Sequence, residues 1–233
     1  MNPLWTEIAS RAGATLSPQQ HELFGRYLDL LLAANQRMNL TRITDRESAE
    51  LHHVGDALTL LRYLPPGRLK IADVGSGVGV PGMPLAIARP DAQVVLIEST
   101  RKKAAFLTDA SQKLGLQNLR VCDLRAEDVG RSSTLRESFD IVVARAVATL
   151  DWLAEWCLPL LKKGGKMLAM KGERAAAELP AAGHAIHLMG GGSPDVHPAD
   201  LPGTQHHVIV EIRKIKTTPA AYPRPATQAK TPL

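Results

Sequence analysis

"IADVGSGVGVPGMPLAIARP" occupies residues 71–90. A strand-like apolar run meets an acid, Asp73, and then a loop with glycines at 75, 77, 79 and 82. A glycine-rich turn that follows a first strand and opens a helix is the nucleotide end of a doubly wound α/β sheet. Three ligand classes compete for it. A phosphate-clamping loop ends in Gly-Lys-Ser/Thr, but here Gly79 is followed by Val80 and Pro81. A dinucleotide loop reads G-x-G-x-x-G. Gly75 and Gly77 fit that pattern, but the third glycine position is Val80, and Pro81 removes an amide that a pyrophosphate would use. S-adenosylmethionine carries a nucleoside and no phosphate, so it asks mainly for bare backbone, which Gly75, Gly77 and Gly79 offer. Asp73 would repel a pyrophosphate and suits the ammonium of the third ligand. Glu98 ends the second strand, where an acid takes ribose hydroxyls. That serves NAD and S-adenosylmethionine alike.

Outward from the loop, short β-rich runs alternate with helical segments. Strands are predicted at "LKIADV" (69–74), "QVVLIE" (93–98), "LRVC" (119–122), "FDIVVA" (139–144) and "GKMLAM" (165–170), with helices over 84–89, 101–114 and 149–161. Such alternation gives a parallel sheet with helices on both faces. Two later strands, "HAIHLM" (184–189) and "HHVIVEIRKI" (206–215), flank a loop-like stretch at 190–203 and are expected to pair antiparallel at one edge. Residues 1–66 read as a helical prelude. It holds a short first helix within 1–16. A second helix is opened by Ser17, Pro18 and Gln20, and a third runs from Thr44 to before Pro65. The α/β unit is then 67–216. Residues 217–233 hold four prolines and little to bury, and are expected to be disordered.

The chain has 233 residues, a formal net charge of +5 and two cysteines, Cys122 and Cys157. Its size suits one domain with an appendage. The charge favours an acidic partner, nucleic acid first. Cysteine usage points to a reduced, cytoplasmic setting, and no run of apolar residues is long enough to cross a membrane. The histidines show no metal-ligand spacing, so no metal is expected.

The segments after the glycine loop separate the ligands further. "DLRAEDV" (123–129) places an acidic loop after the third strand. "LPLLKKGGKMLAMKG" (158–172) joins a helix to the fifth strand through Lys-Lys-Gly-Gly, a step that resembles class I methyltransferases. Taken with "NLTRIT" (39–44), "HHVGDAL" (52–58), "IESTRKKAAFL" (97–107), "AED" (126–128), "VARAVA" (143–148) and "AMKG" (169–172), the chain resembles the bacterial small-subunit rRNA guanine-N7 methyltransferase family, RsmG or GidB, from about residue 17 to 215.

The resemblance implies a Rossmann-like class I fold: a mostly parallel seven-stranded sheet with an antiparallel last strand. It implies S-adenosylmethionine as methyl donor, and N7 of the guanine at nucleotide 527 of 16S rRNA, free or in the small subunit, as acceptor. Carried over by position, Gly75, Val80, Ala126, Glu127 and Arg145 would bind the donor. Asp73, Gly77, Gly79 and Glu98 match the wider methyltransferase pattern. The chain departs from the family's H-x-x-D-S, having Ala57 after His53 and Asp56. Guanine N7 has a free lone pair and no proton to lose, so no general base is expected. Arg145, Lys171, Asn39 and His53 are the candidates to meet the acceptor, with the basic groups at 101–103, 162–166 and 213–216 candidates for RNA backbone. A monomer is expected. The competing readings are a methyltransferase of another substrate and an NAD-binding oxidoreductase.

Overall fold

The computed structural model describes residues 1–204 and 206–233. Seven strands form one sheet in the order β3-β2-β1-β4-β5-β7-β6. These are β1 (Lys70–Val74), β2 (Gln93–Ile97), β3 (Leu119–Cys122), β4 (Phe139–Arg145), β5 (Leu161–Lys171), β6 (Gly191–Pro198) and β7 (Val208–Lys214). The first five are parallel, and β7 runs antiparallel to both β5 and β6. This is the expected class I arrangement. Strand order reverses beside β1, so the loops after β1 and β4 open on a common crevice at the carboxyl ends of the strands.

The helical prelude comprises α1 (Pro3–Arg11), α2 (Pro18–Met38), α3 (Arg46–Ala49), a π-helical turn (Glu50–Gly55), α4 (Asp56–Leu58) and a 3-10 turn (Thr59–Tyr63). Ser17 caps α2 as predicted: its Oγ accepts from Gln20 N, and Gln20 Oε1 accepts from Ser17 N. The third helix starts two residues later than predicted, because the Asp45 carboxylate takes the Ser48 N–H. Phe24, Tyr27, Leu28 and Leu31 are fully buried on the sheet face that also receives α5 (Gly82–Ala88) and α6 (Arg101–Leu114). The other face packs under α7 (Ala126–Arg131), α8 (Leu150–Cys157) and α9 (Ala175–Leu188).

Two expectations fail at the antiparallel edge. "HAIHLM" is the end of α9. Its apparent alternation hides helical spacing, with Ala182, Ala185 and Ile186 buried against α8. The stretch expected to be a loop contains β6. Pro194 and Pro198 lack ladder N–H groups, but β6 lies at the sheet edge and pairs only with β7, where proline is tolerated. The antiparallel pairing itself was anticipated; its first strand was misplaced.

The tail, expected to be disordered, instead lies against the core through polar contacts. Arg136 donates to the carbonyls of Thr218 and Tyr222, and Arg131 to that of Pro223. The buried Glu155 carboxylate takes Arg224 N and Nε on one oxygen and Nη2, at 2.6 Å, on the other. These contacts spend backbone carbonyls and one ion pair, with Tyr222 and Leu233 also packed on the core, so apolar content alone does not reveal them. Arg224→Ala should therefore lower stability by about 2–3 kcal/mol, since removing one partner strands a buried carboxylate while the half-exposed guanidinium limits the loss. Denaturant unfolding measures it, and an unchanged midpoint would show that the tail contributes nothing.

Candidate active site

The glycine loop is held from within. Gly75 and Ser76 donate their N–H groups to Ile97 O, Gly79 and Val80 to Ser76 O, Gly77 to Glu98 Oε2, and Gly82 to Asp73 Oδ2. Pro81 has no N–H to give. The loop therefore lacks the array of free amides that cradles a pyrophosphate. Gly75 (φ +69) approaches Val147 so closely that a Cβ would lie 2.7 Å from its side chain. At Gly77 (φ +60) a Cβ would meet nothing nearer than 3.8 Å, because bare backbone faces an open cleft there.

That cleft measures about 360 Å³, within the range of small-molecule sites. Gly75, Gly77, Val80, Glu98, His53 and Arg145 line it, together with Leu40, Thr41 and Lys103. Glu98 is buried and braces the loops: Oε2 accepts from Gly77 N and Oε1 from Thr100 N. Each of its oxygens keeps lone-pair capacity for a ligand hydroxyl.

Other expected residues lie elsewhere. Asp73 is fully buried beneath the loop and does not reach the cleft; its Oδ2 pins Gly82 while Oδ1 has no partner among the described residues. Gly79 (φ +101) packs on Leu107 and Met83. Ala126 and Glu127 open α7 after β3 and are not among the residues lining this cleft. Asn39 is exposed, ending α2 in a left-handed turn. The link from prelude to cleft comes from Asn35, which sequence reasoning missed. Its Oδ1 accepts from Leu40 N and Thr41 N, and its Nδ2 donates to Thr41 O. A lone amide on an apolar helix face was the available signal. Tyr27 adds a second tie, its hydroxyl donating to Val78 O.

Arg145 is where the prelude meets the sheet. Its Nη1 donates to Asp56 Oδ2 at 2.9 Å and to the His52 carbonyl, and its Nη2 lies 3.3 Å from His53 Nδ1. The carboxylate paired with Arg145 is Asp56 of the prelude. Arginine has no acceptor, so His53 Nδ1 must be unprotonated. Burial, then Arg145, pushes the His53 pKa down to about 4, which keeps the ring neutral. Burial pushes the Asp56 carboxyl up, but His207 and Arg145 outweigh it and hold it below the ordinary value. Ala146, next along, has φ +55, a strained conformation for a residue with a side chain.

Arg145 and Ala146 also wall a second cavity of about 270 Å³, which Lys171 and His207 line as well. Lys171 is not free to meet phosphate: its Nζ pairs with Glu178 at 2.7 Å and donates to Ala148 O. Of the three basic groups, the first alone reaches the cleft among the described residues, through Lys103; Lys102 donates to the Met38 carbonyl. Lys162 and Lys166 pair with Asp140 and Glu211 near the opposite ends of the strands, and Lys214 is buried on the Leu158 and Met189 carbonyls.

Residues 20–204 match the family described as GidB, rRNA small subunit methyltransferase G. The chain belongs to the rRNA small subunit methyltransferase G family. Family members from Moorella thermoacetica and Bacillus subtilis are 46% and 41% identical, covering 99% and 98% of this chain and 97% of each relative. Among solved structures, a 16S rRNA (adenine(1408)-N(1))-methyltransferase from Catenulisporales acidiphilia with cosubstrate SAM matches the fold. It has a TM-score of 0.50 at 17% identity, over 65% of this chain and 87% of that one. The family's donor, S-adenosylmethionine, fits the cleft: bare backbone at Gly77, a carboxylate at Glu98, and loop amides already spent.

Asp73 gives this family member a measurable pH signature. Burial raises its carboxyl to about 7, against 3.8 in an unfolded chain. The folded protein then keeps a proton that the unfolded chain releases. This contribution to stability is full below about pH 4 and is lost as pH rises through about 7. The urea midpoint of wild type relative to Asp73→Asn should fall across that window. A flat difference would show an ordinary carboxylate.

Proposed function

We propose that the protein transfers the methyl group of S-adenosylmethionine to N7 of the guanine at nucleotide 527 of 16S rRNA. The observation that carries the donor half is the glycine loop, with the amides of Gly75, Ser76, Gly77, Gly79, Val80 and Gly82 committed inside the chain beside a cleft with an open, Cβ-free wall. Family membership supports the small-subunit rRNA half.

The donor supplies an electrophilic sulfonium-bound methyl. As the N7–methyl bond forms, the sulfur–methyl bond breaks and its electron pair stays on sulfur. No proton moves, and the site matches: His53 is held neutral, and Asp56 is engaged with Arg145. The chain's share is alignment and exclusion of water. The ring gains positive charge on methylation, and the Asp56 carboxylate offsets the nearby Arg145 guanidinium.

The test is incubation with labelled donor and either 30S subunits or naked 16S rRNA lacking the modification, followed by nuclease digestion. Label in 7-methylguanosine at one site is expected. Label in protein or small molecules only, or NADH binding in place of the donor, would overturn the proposal. Binding that drops steeply with salt is expected from Arg101–Lys103.

A further inference from the structure

We infer that the cavity behind Arg145 receives the Watson–Crick edge of the acceptor guanine, and that Asp56 is the residue that selects guanine there. The inference rests on the proposed function and adds the group that reads the base.

Asp56 is nine-tenths buried, yet it lines this cavity. Its Oδ2 is taken by Arg145 at 2.9 Å. No described residue stands within 3.5 Å of its Oδ1 as a donor; His207 Nδ1 faces it at 3.8 Å, an ion-pair distance that leaves lone-pair capacity on this oxygen. This oxygen is not sealed in the interior but opens on the cavity, so a ligand donor can reach it. Guanine alone among the four RNA bases presents two adjacent donors, N1–H and the N2 amino group, matching an acceptor-only carboxylate. Adenine presents a bare N1 to the same oxygen and is repelled.

The order of groups along the purine reinforces the assignment. Going round guanine from N2, the atoms met are N1–H, then O6, then N7. Going from this cavity toward the donor cleft, the groups met are Asp56, then Arg145, which walls both spaces. Arg145 spends three of its five N–H groups on His52, Asp56 and His53, leaving two for O6. With N1 and N2 on Asp56 and O6 on Arg145, N7 turns toward the cleft with its lone pair uncommitted. Met170, Ala199 and Val208 supply apolar surface for the ring. Reading an extruded base on this edge is how enzymes acting on bases select them.

The test uses the full chain and target RNA carrying either guanosine or inosine, which lacks the N2 amino group, at the methylated position. Single-turnover methyl transfer is measured for wild type and Asp56→Asn, with binding of S-adenosylhomocysteine as the check on folding. Wild type should methylate the inosine RNA about tenfold or more slowly, as expected for a lost hydrogen bond to a charged group. Asp56→Asn should slow the guanosine RNA by about tenfold to a hundredfold. It should narrow the guanosine–inosine ratio to about twofold and bind S-adenosylhomocysteine within about threefold of wild type. Equal rates on the two RNAs by wild type would overturn the inference while leaving the proposed function standing, and this arm needs no variant. An undiminished ratio in Asp56→Asn would also overturn it. If wild type leaves the guanosine RNA unmethylated at N7, the proposed function falls and this inference with it.

Discussion

Arg145→Ala is expected to lower single-turnover methyl transfer by about a hundredfold to a thousandfold, the range for removing one preorganised donor from an active site. Among the described residues, Arg145 is the one side chain that walls the donor cleft, walls the second cavity and is gripped by the prelude at His52, His53 and Asp56. The change does not spare the fold. Without its guanidinium, Asp56 stays buried with only His207 nearby, and stability should fall by about 2–3 kcal/mol, part of the 3–5 kcal/mol typical of a stranded buried charge. Arg145→Lys separates the two effects: it restores charge opposite Asp56 but lacks the planar fork. The lysine variant should regain most of the stability and little of the rate. Full activity in either variant would remove Arg145 from the reaction.

What the sequence disclosed follows from where physical chemistry is local. The loop at 71–90 is legible because glycine at a positive φ and proline without an N–H leave few alternatives, and Gly75, Gly77 and Gly79 all adopt that conformation. The capping box at Ser17 is legible for the same reason. The long-range partners were not. Nothing in "HHVGDAL" says that residue 56 reaches residue 145, a pairing made by packing the prelude against the carboxyl end of β4. Nor does the proline-rich composition of 217–233 say that Arg131, Arg136 and Glu155 will bind its backbone and Arg224. Asp73 shows the converse error. An acid in a motif reads as a ligand contact, yet here it fastens the loop from below. Lys171 and Lys214 repeat the lesson for cations: charge in a sequence is a candidate for RNA only until a carboxylate or carbonyl claims it.

Gly82→Ala should be the most destabilising single change in the loop. A Cβ there would lie 2.2 Å from Leu96 Cδ2 and 2.7 Å from Asp73 Oδ2, distances no side-chain carbon tolerates. Leu96 is fully buried on β2 and Asp73 on β1, so neither can swing aside into solvent. Relief requires moving α5 outward, which breaks the Gly82 N–H bond to Asp73 Oδ2 and leaves both carboxyl oxygens of Asp73 without partners. Overpacking costs about 1–3 kcal/mol and the orphaned group about 1–3 kcal/mol more, so a loss near 4 kcal/mol is expected. For a chain of this size that is a fall of about 10 °C in melting temperature. Gly77→Ala is the contrasting change. Its Cβ meets only open cleft, and the φ of +60 adds a strain of about 1 kcal/mol. Gly77→Ala should therefore melt close to wild type yet bind S-adenosylhomocysteine at least about tenfold more weakly, because the methyl group fills the wall against which the nucleoside lies. Calorimetry and thermal melts on the two variants together decide the matter. If Gly82→Ala melts like wild type, or if Gly77→Ala keeps full donor affinity, then the loop is not divided between a glycine that supports the fold and a glycine that faces the ligand.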